Sequence, residues 1–380
     1  MSRLKTLLDE LCPDGVEYKK VKELCAISRG KVISKDFIRD NPGEYPVYSS
    51  QTENDGVLGN ISTYAYDGEY ITWTTDGANA GTVFYRNGKF SITNVCGLLK
   101  VQDDAVLPKF LYYALSISAK KHVNAGMGNP KLMSNVMERI LIPVPPLAVQ
   151  CEIVRLLDNF AELTAELTAE LTARKKQYAY YRDKLLTFGD VRVGVTRNVI
   201  QRTLGEVCKI SAGGDAPKES MSKQKTEKYS VPIISNGIGE NALYGYTDAP
   251  KVEEPAVTVA ARGTIGYAEY RDYPFYPIIR LLTAIPKDST VVNTKYLYYC
   301  LQGKQYSVPM GGIPQLTAPE LKKVEIPIPS LDVQNRIVQV LDNFDAVCTD
   351  LSSSLPAEIE ARQKQYEYYR DKLLTFTPAD

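Results

Sequence analysis

Histidine is almost missing from this chain: His122, in the Lys-rich stretch AKKHVN, is the single example among 380 residues. A lone histidine reads as a surface or helix-end residue, and a histidine-based catalytic centre is not expected. Cysteine is modest at seven, an odd number with no C-x-x-C pair, which argues against a zinc site and against a disulfide framework. No run of eighteen apolar residues occurs, and the opening MSRLKTLLDELCPDG is amphipathic and charged rather than signal-like. A cytoplasmic location is the resulting expectation. Net charge is also absent: 45 basic residues balance 45 acidic ones. Nucleic acid is therefore not held by bulk electrostatics alone, although local basic patches remain open.

Catalytic signatures are equally scarce. There is no G-x-x-x-x-G-K-[ST] phosphate loop. GIGENA (Gly237–Ala242) matches G-x-G-x-x-A, yet LYGYTDAP after it is no helix start. PDGVEYK (Pro13–Lys19) spells a nuclease-like string, but its acids stand too close for a metal-binding hairpin, and Pro-Asp-Gly reads as a turn. The Asn-Pro-Pro-Tyr type of string found in adenine methyltransferases has only VPPL (Val144–Leu147) as its nearest counterpart. Neither catalysis nor a metal site is expected of this chain by itself.

What the chain does have, it has twice. IPVPPLAVQ from Ile142 is answered by IPIPSLDVQ from Ile326, 184 residues on, and ARKKQYAYYRDKLLTF ending at Phe188 is answered by ARQKQYEYYRDKLLTF ending at Phe376, 188 on. KELCAISRG and GEVCKISAG, KFLYYAL and KYLYYCL, GNPKL and GIPQL are further matched pairs. Cys25 and Cys208 fall in matching places and read as small core residues. Between these landmarks the halves diverge: YPVYSSQTENDGVLGN faces VPIISNGIGENALYGY. The pattern is a common scaffold carrying two different surfaces. Strand alternation broken by Gly, Asn and Asp turns predicts mostly β bodies, with helices near Lys109 and Asn293.

The segments after each body read as long helical arms. Three-four spacing gives a seam of Ile153, Leu157, Phe160, Leu167, Leu171, Tyr178, Tyr181 and Leu185, interrupted by Thr164 and Arg174. In the second arm it gives Ile337, Leu341, Phe344, Leu351, Leu355, Tyr366, Tyr369 and Leu373, with four extra residues absorbed as a stutter between Leu355 and Arg362. Pro146 suits a helix start, and Pro356 is expected to restart or kink the second arm. Each arm would span about 60 Å if helical throughout. The fold class expected is α+β: two β-rich globular domains in pseudo-twofold tandem repeat, separated by two long helices packed as an antiparallel coiled coil. In the alternative, each arm docks on its own body. The repeated TAEL between Thr164 and Leu171 keeps Leu163, Leu167 and Leu171 on one side, and adding one unit changes helix length by about 6 Å.

The ordered set of lead-ins, DNF starts, RDKLLTF ends and TAEL units resembles the specificity subunit of type I restriction-modification systems, in the subgroup with a tetrapeptide repeat in the central region. The resemblance covers nearly the whole chain. It implies a first target recognition domain over 1–146, a central helix over 147–188, a second recognition domain over 189–330 and a C-terminal helix over 331–380. Each domain would read one half of a bipartite, asymmetric double-stranded DNA site, and the arms would set the spacer. Two modification subunits would bind S-adenosylmethionine and methylate adenine; restriction subunits would use ATP and Mg. This chain would hold no cofactor and no metal. A non-DNA scaffold presenting two β-rich modules on a strut is the competing reading.

Under that resemblance, base-reading candidates are the polar loop residues where the halves differ. They are Lys31, Lys35, Ser50, Gln51, Thr52, Asn54, Thr75, Asn79 and Lys131 in the first body, and Lys223, Lys225, Lys228, Ser235, Asn236, Arg262 and Gln315 in the second. Lys, Arg, Asn and Gln can grip base edges in two places at once, and Ser or Thr can bind phosphate. Lys131 and Gln315 fill one slot of GNPKL and GIPQL, so a differing contact is expected there.

Overall fold

The computed structural model describes residues 2–124, 126, 128–188, 199–306, 314–349 and 355–379. The chain divides into two compact units, Met1–Thr168 with Glu358–Asp380, and Ala169–Ala357. Each unit holds one β-rich body and a segment of each arm.

In the first unit, six strands form one sheet in the order Cys25–Arg29, Cys96–Val101, Tyr66–Thr74, Val83–Ile92, Pro42–Tyr48, Val57–Ile61. All pairings are antiparallel except that of Val47 and Tyr48 with Ser91 and Ile92. Trp73 is fully buried at the centre of this sheet. Gly97 makes room for it: a Cβ there would come within 2.3 Å of the indole. The helix Pro108–Ser118 opens on a proline, where the missing N–H costs nothing, and buries Phe110, Leu111, Tyr113, Ala114 and Leu115. These residues join Ile71, Trp73 and Leu99 of the sheet in one core.

The first arm is a helix over Leu147–Thr187, 41 residues long. Pro146 stands just ahead of it and accepts from the N–H groups of Val149 and Gln150 at 2.9 and 3.2 Å. Two polar anchors fix its start to the first body. Buried Gln150 donates to the carbonyls of Ala105 and Pro145, both at 2.7 Å, and accepts from Leu107 N–H at 2.9 Å. Asp158 accepts from Lys109 Nζ at 2.7 Å and from the Tyr113 hydroxyl at 2.6 Å. Burial, then the bond to Asp158, pushes the Tyr113 pKa up, so it stays a donor at neutral pH. Val149, Ile153 and Leu157 enter the same core, as do Leu373 and Leu374 from the end of the second arm. Phe160 stacks on Tyr369 with centroids 5.4 Å apart.

The second unit repeats these devices. Gln334 donates to Val291 and Pro329 at 2.8 and 2.9 Å and accepts from Asn293 N–H at 2.9 Å. Asp342 accepts from Lys295 Nζ at 2.8 Å and from the Tyr299 hydroxyl. Tyr181 stacks on Phe344 at 5.8 Å, the same pairing with the arms exchanged. Ile337, Leu341, Tyr178, Tyr296 and Tyr299 share one apolar cluster, with Leu185 packed on it. Burial, and after it the nearby charge of Asp345, pushes the Tyr178 pKa up; burial likewise raises that of Cys348, three residues past Asp345, against the opposing charges of Lys175 and Arg174. Rising numbers on one arm meet falling numbers on the other, so the two segments run antiparallel.

Each unit therefore combines both geometries weighed from the sequence: an arm's start lies on its own body and packs against the other arm's end. RDKLLTF of the second arm lies in the first unit, and that of the first arm in the second. The centre of the first arm departs from a closed seam. Leu163 is exposed, Leu167 and Leu171 are half-buried, and Thr164 turns its hydroxyl back to the Phe160 carbonyl at 2.8 Å. The second arm consists of helices Leu331–Thr349 and Leu355–Leu373, with Pro356 in the first turn of the latter. Leu351, assigned to the seam, lies outside the described residues.

The bodies differ in one respect that bears on the site. The second carries two four-stranded sheets, Cys208–Ala212, Leu281–Pro286, Ala256–Ala260, Ala268–Arg271 and Met221–Ser222, Leu243–Thr247, Val231–Ile234, Tyr276–Pro277. The strand that is continuous over Val83–Ile92 in the first body is here split between Ala268–Arg271 and Tyr276–Pro277. Pro274 stands in the gap, and a proline has no N–H for the ladder. Burial pushes the thiols of Cys25 and Cys208 up to about 12, which keeps them inert core residues. Among the described residues no helix is long and apolar enough to cross a membrane.

Candidate nucleic-acid interface

In each body, one residue past the end of the central strand ties several loops together. In the first it is Thr75. Its N–H and hydroxyl both donate to the Val95 carbonyl, at 3.3 and 2.9 Å, and its own carbonyl accepts from Leu132 N–H at 2.9 Å. The Leu132 carbonyl accepts from Trp73 Nε1 at 2.9 Å, so the strap carrying Lys131 is clamped from both sides. Lys131 bridges to Asp76, and Gly77, at φ +97°, donates its N–H to Pro130 at 3.1 Å. Asn79 Nδ2 donates to Thr52 Oγ1 at 2.9 Å, which joins the loop after Tyr48 to the same knot.

In the second body the hub is Ala261. Its N–H donates to Arg280 O at 2.9 Å, and its carbonyl accepts from Leu316 N–H at 2.8 Å. Asn236 Nδ2 donates to Arg262 O at 2.6 Å, and the Thr264 hydroxyl to Asn236 O at 3.3 Å. Leu132 and Leu316 are equivalent straps, and each carries the divergent residue, Lys131 or Gln315, immediately before it. Ser49 and Ser235 are matched as well, each donating its N–H to a loop carbonyl at 3.0 and 2.7 Å. Ser50 and Asn236 are therefore equivalent slots, as are Asp76 and Arg262. An acid in one body stands where a guanidinium stands in the other.

Of the first-body candidates, Thr52, Asn79 and Lys131 meet at this knot, and Ser50 lies on the loop that carries Thr52 into it. Lys31 joins its edge through a bridge to Thr93. Gln51 donates its amide to Val57 O, and Asn54 takes a left-handed conformation at φ 49° beside Asp55. The Asp55 carboxylate receives Arg86, so this turn is held from beneath. Lys35 is exposed in the first turn of the helix Lys35–Asp40, and no hydrogen bond ties it to these loops among the described residues. Thr75 is a correction. It is 1% exposed with its hydroxyl engaged, so it builds the knot and presents nothing to a ligand. Of the second-body candidates, Ser235, Asn236, Arg262 and Gln315 converge, with the Ser235 hydroxyl on Ala242 O at 3.1 Å. Lys223 leaves this group: its Nζ donates to Tyr244 O at 2.9 Å and lies over that ring. Lys228 lies 5.1 Å over Tyr229, and Lys225 is exposed.

Two residues of the knots, Asp76 and Arg280, were missed from the sequence. Pairing NVCGLL with IRLLTA across the duplication would have set Arg280 opposite Val95 and drawn attention to it.

The sequence matches the family described as type I restriction modification DNA specificity domain over residues 13–174 and again over 197–361. The chain belongs to that family. A type I specificity subunit of Mycoplasma pneumoniae is 39% identical over 354 residues, covering 93% of this chain and 96% of the relative. A second relative from that organism, the specificity subunit of a type I restriction enzyme, is 47% identical over 176 residues, covering 45% of this chain and 53% of its own. Among solved structures, the type I restriction-modification S subunit from M. genitalium superposes with a TM-score of 0.60 at 16% identity, covering 95% of this chain and 96% of that one, a likeness of fold. Membership makes this chain a DNA-specificity component, a recognition subunit rather than a catalyst, and sets aside the non-DNA scaffold.

Proposed function

We propose that each knot is the reading head of its body, so that the two bodies address unlike halves of a split double-stranded DNA site. One observation carries this reading: two hubs of matching hydrogen-bond pattern hold different side chains in equivalent slots, Asp76, Lys131 and Ser50 against Arg262, Gln315 and Asn236. A buried, fixed frame with variable polar tips is what direct readout in the major groove requires. The bodies correspond to recognition domains over 1–146 and 189–330, and the arms over 147–188 and 331–380 set the unread spacer. The chain works in the cytoplasm, with two modification subunits beside the arms supplying S-adenosylmethionine chemistry on adenine. Restriction subunits bring ATP and Mg to the full complex.

The test is a base-resolution map of adenine methylation produced by this chain together with its modification subunit. One asymmetric, bipartite motif with a fixed gap is expected. Methylation that ignores sequence, or a single uninterrupted motif, would overturn the proposal.

A further inference from the structure

We infer that Arg280 is a specificity-determining residue of the second body, its guanidinium reading a guanine in the half-site addressed there; the inference rests on the DNA-reading role proposed above. Among the described residues the non-glycine positions with positive φ are Asn54, Asp55, Phe188 and Arg280. Asn and Asp tolerate that region through local hydrogen bonds of their short side chains, whereas a long side chain such as arginine gains nothing there. Arg280 is held at φ 71° by its surroundings. Its carbonyl accepts from Ala261 N–H at 2.9 Å, Leu281 N–H donates back to Ile278 O at 3.2 Å, and Gly213 N–H donates to Leu281 O at 2.8 Å. The turn is thus pinned to the hub that fixes Arg262, Asn236 and Gln315.

Among the described residues the guanidinium itself is unengaged. Arg271, in the same body, is buried on Thr258, Glu269 and Tyr273, and Arg202 lies 4.0 Å from Glu206. Arg280 is exposed, and neither it nor Arg262 has a side-chain hydrogen bond or ion pair among the described residues. The equivalent position of the first body is Val95, which lacks a polar group, so the residue belongs to the difference between the two heads. A phosphate contact asks only for positive charge on a flexible stem. A planar fork on a clamped backbone, beside an Asn and a Gln, matches the O6 and N7 pair of guanine.

The test uses the full-length chain with its modification subunit and compares parent, Arg280→Gly and Arg280→Lys by methylation mapping and by binding to an oligonucleotide panel. Glycine suits φ 71°, so the fold of Arg280→Gly should survive, which thermal unfolding checks. Arg280→Gly should lose guanine preference at one position of one half-site, by on the order of ten- to a hundred-fold, and Arg280→Lys, which reaches O6 and N7 without the planar fork, should fall between glycine and the parent, with the other half-site and the gap unchanged. Arg280→Lys should keep the parent's salt dependence. With Arg280→Gly, an unchanged motif or an equal loss in both half-sites would overturn the inference while the split-site reading stands. If the parent directs no split-site methylation, both fall.

Discussion

Replacing Gln150 by Leu tests whether the first arm is anchored by its polar plug or only by apolar contact. Gln150 is fully buried and makes three hydrogen bonds of 2.7 to 2.9 Å to main-chain groups of residues 105, 107 and 145. Leucine would leave two carbonyls and one N–H without partners; each such group costs about 1–3 kcal/mol when it stays dry. Ala105 O and Leu107 N are only part-buried and recover some hydration, and the added apolar burial returns about 1 kcal/mol, so a net loss of about 3 kcal/mol is expected. With a urea slope of about 2 kcal/mol per molar for a unit of this size, the midpoint should fall by about 1.5 M. The assay is built into the chain. Trp73 is its single tryptophan, fully buried in the first body with Nε1 bonded to Leu132 O, so its fluorescence follows the first unit. Gln334→Leu, the equivalent change in the second unit, should lower a transition seen by far-ultraviolet dichroism. A Gln150→Leu midpoint within about 0.5 M of the parent would refute the plug as an anchor.

Three further outcomes are expected. In a double-mutant cycle of Phe160→Ala and Tyr369→Ala, the ring stack should appear as a coupling of about 1 kcal/mol in urea unfolding, and zero coupling would mean that the arms touch without supporting each other. One more TAEL after Leu171 lengthens the helix by about 6 Å, so the mapped gap should grow by one or two base pairs of about 3.4 Å with both half-sites unchanged; altered half-sites would remove the arms as spacer. Lys131→Ala should weaken recognition of one half-site by about 1–3 kcal/mol in competition binding, and an equal loss in both would point to general attraction.

Much of this architecture was legible because duplication lets one half proofread the other. The matched IPVPPLAVQ and IPIPSLDVQ become matched plugs, since both place Gln150 and Gln334 near a helix start. KFLYYAL and KYLYYCL become matched anchors, since the spacing puts a Lys and a Tyr four residues apart on one helical face, within reach of Asp158 and Asp342. Heptad spacing alone fits either docking, but chain order made the antiparallel pair the simpler closure, and that pairing puts each RDKLLTF end at the opposite body, as the two units have it. Local pattern could not separate Thr75 from Asn79: both are polar residues in a turn, and only the long-range bond to Val95 turns one inward. Arg280 was hidden for the same reason. Its conformation is imposed by Ala261, nineteen positions away in sequence and adjacent only once the strands pair.

The two halves agree where a change is costly and differ where it is cheap. Arg86 on Thr72 and Arg271 on Thr258 are equivalent buried guanidinium contacts, at 3.2 and 3.1 Å, and both hold the sheet beneath the knot. Losing either would strand a buried polar partner, at a cost that is a large fraction of a domain's total stability. The slots at 76/262, 95/280 and 131/315 carry no such debt, whereas Asn236 of the 50/236 slot gives its amide to the Arg262 carbonyl. Their backbones are fixed by hubs made almost wholly of main-chain hydrogen bonds, which any side chain outside the αL position satisfies. On the proposed reading, a substitution there would change what is offered to DNA without loosening what holds the loop. The exception is 95/280, where the backbone conformation is itself restrictive. On the inference drawn above, an arginine held there against its own preference, exposed and without a side-chain partner among the described residues, is accounted for by its ligand.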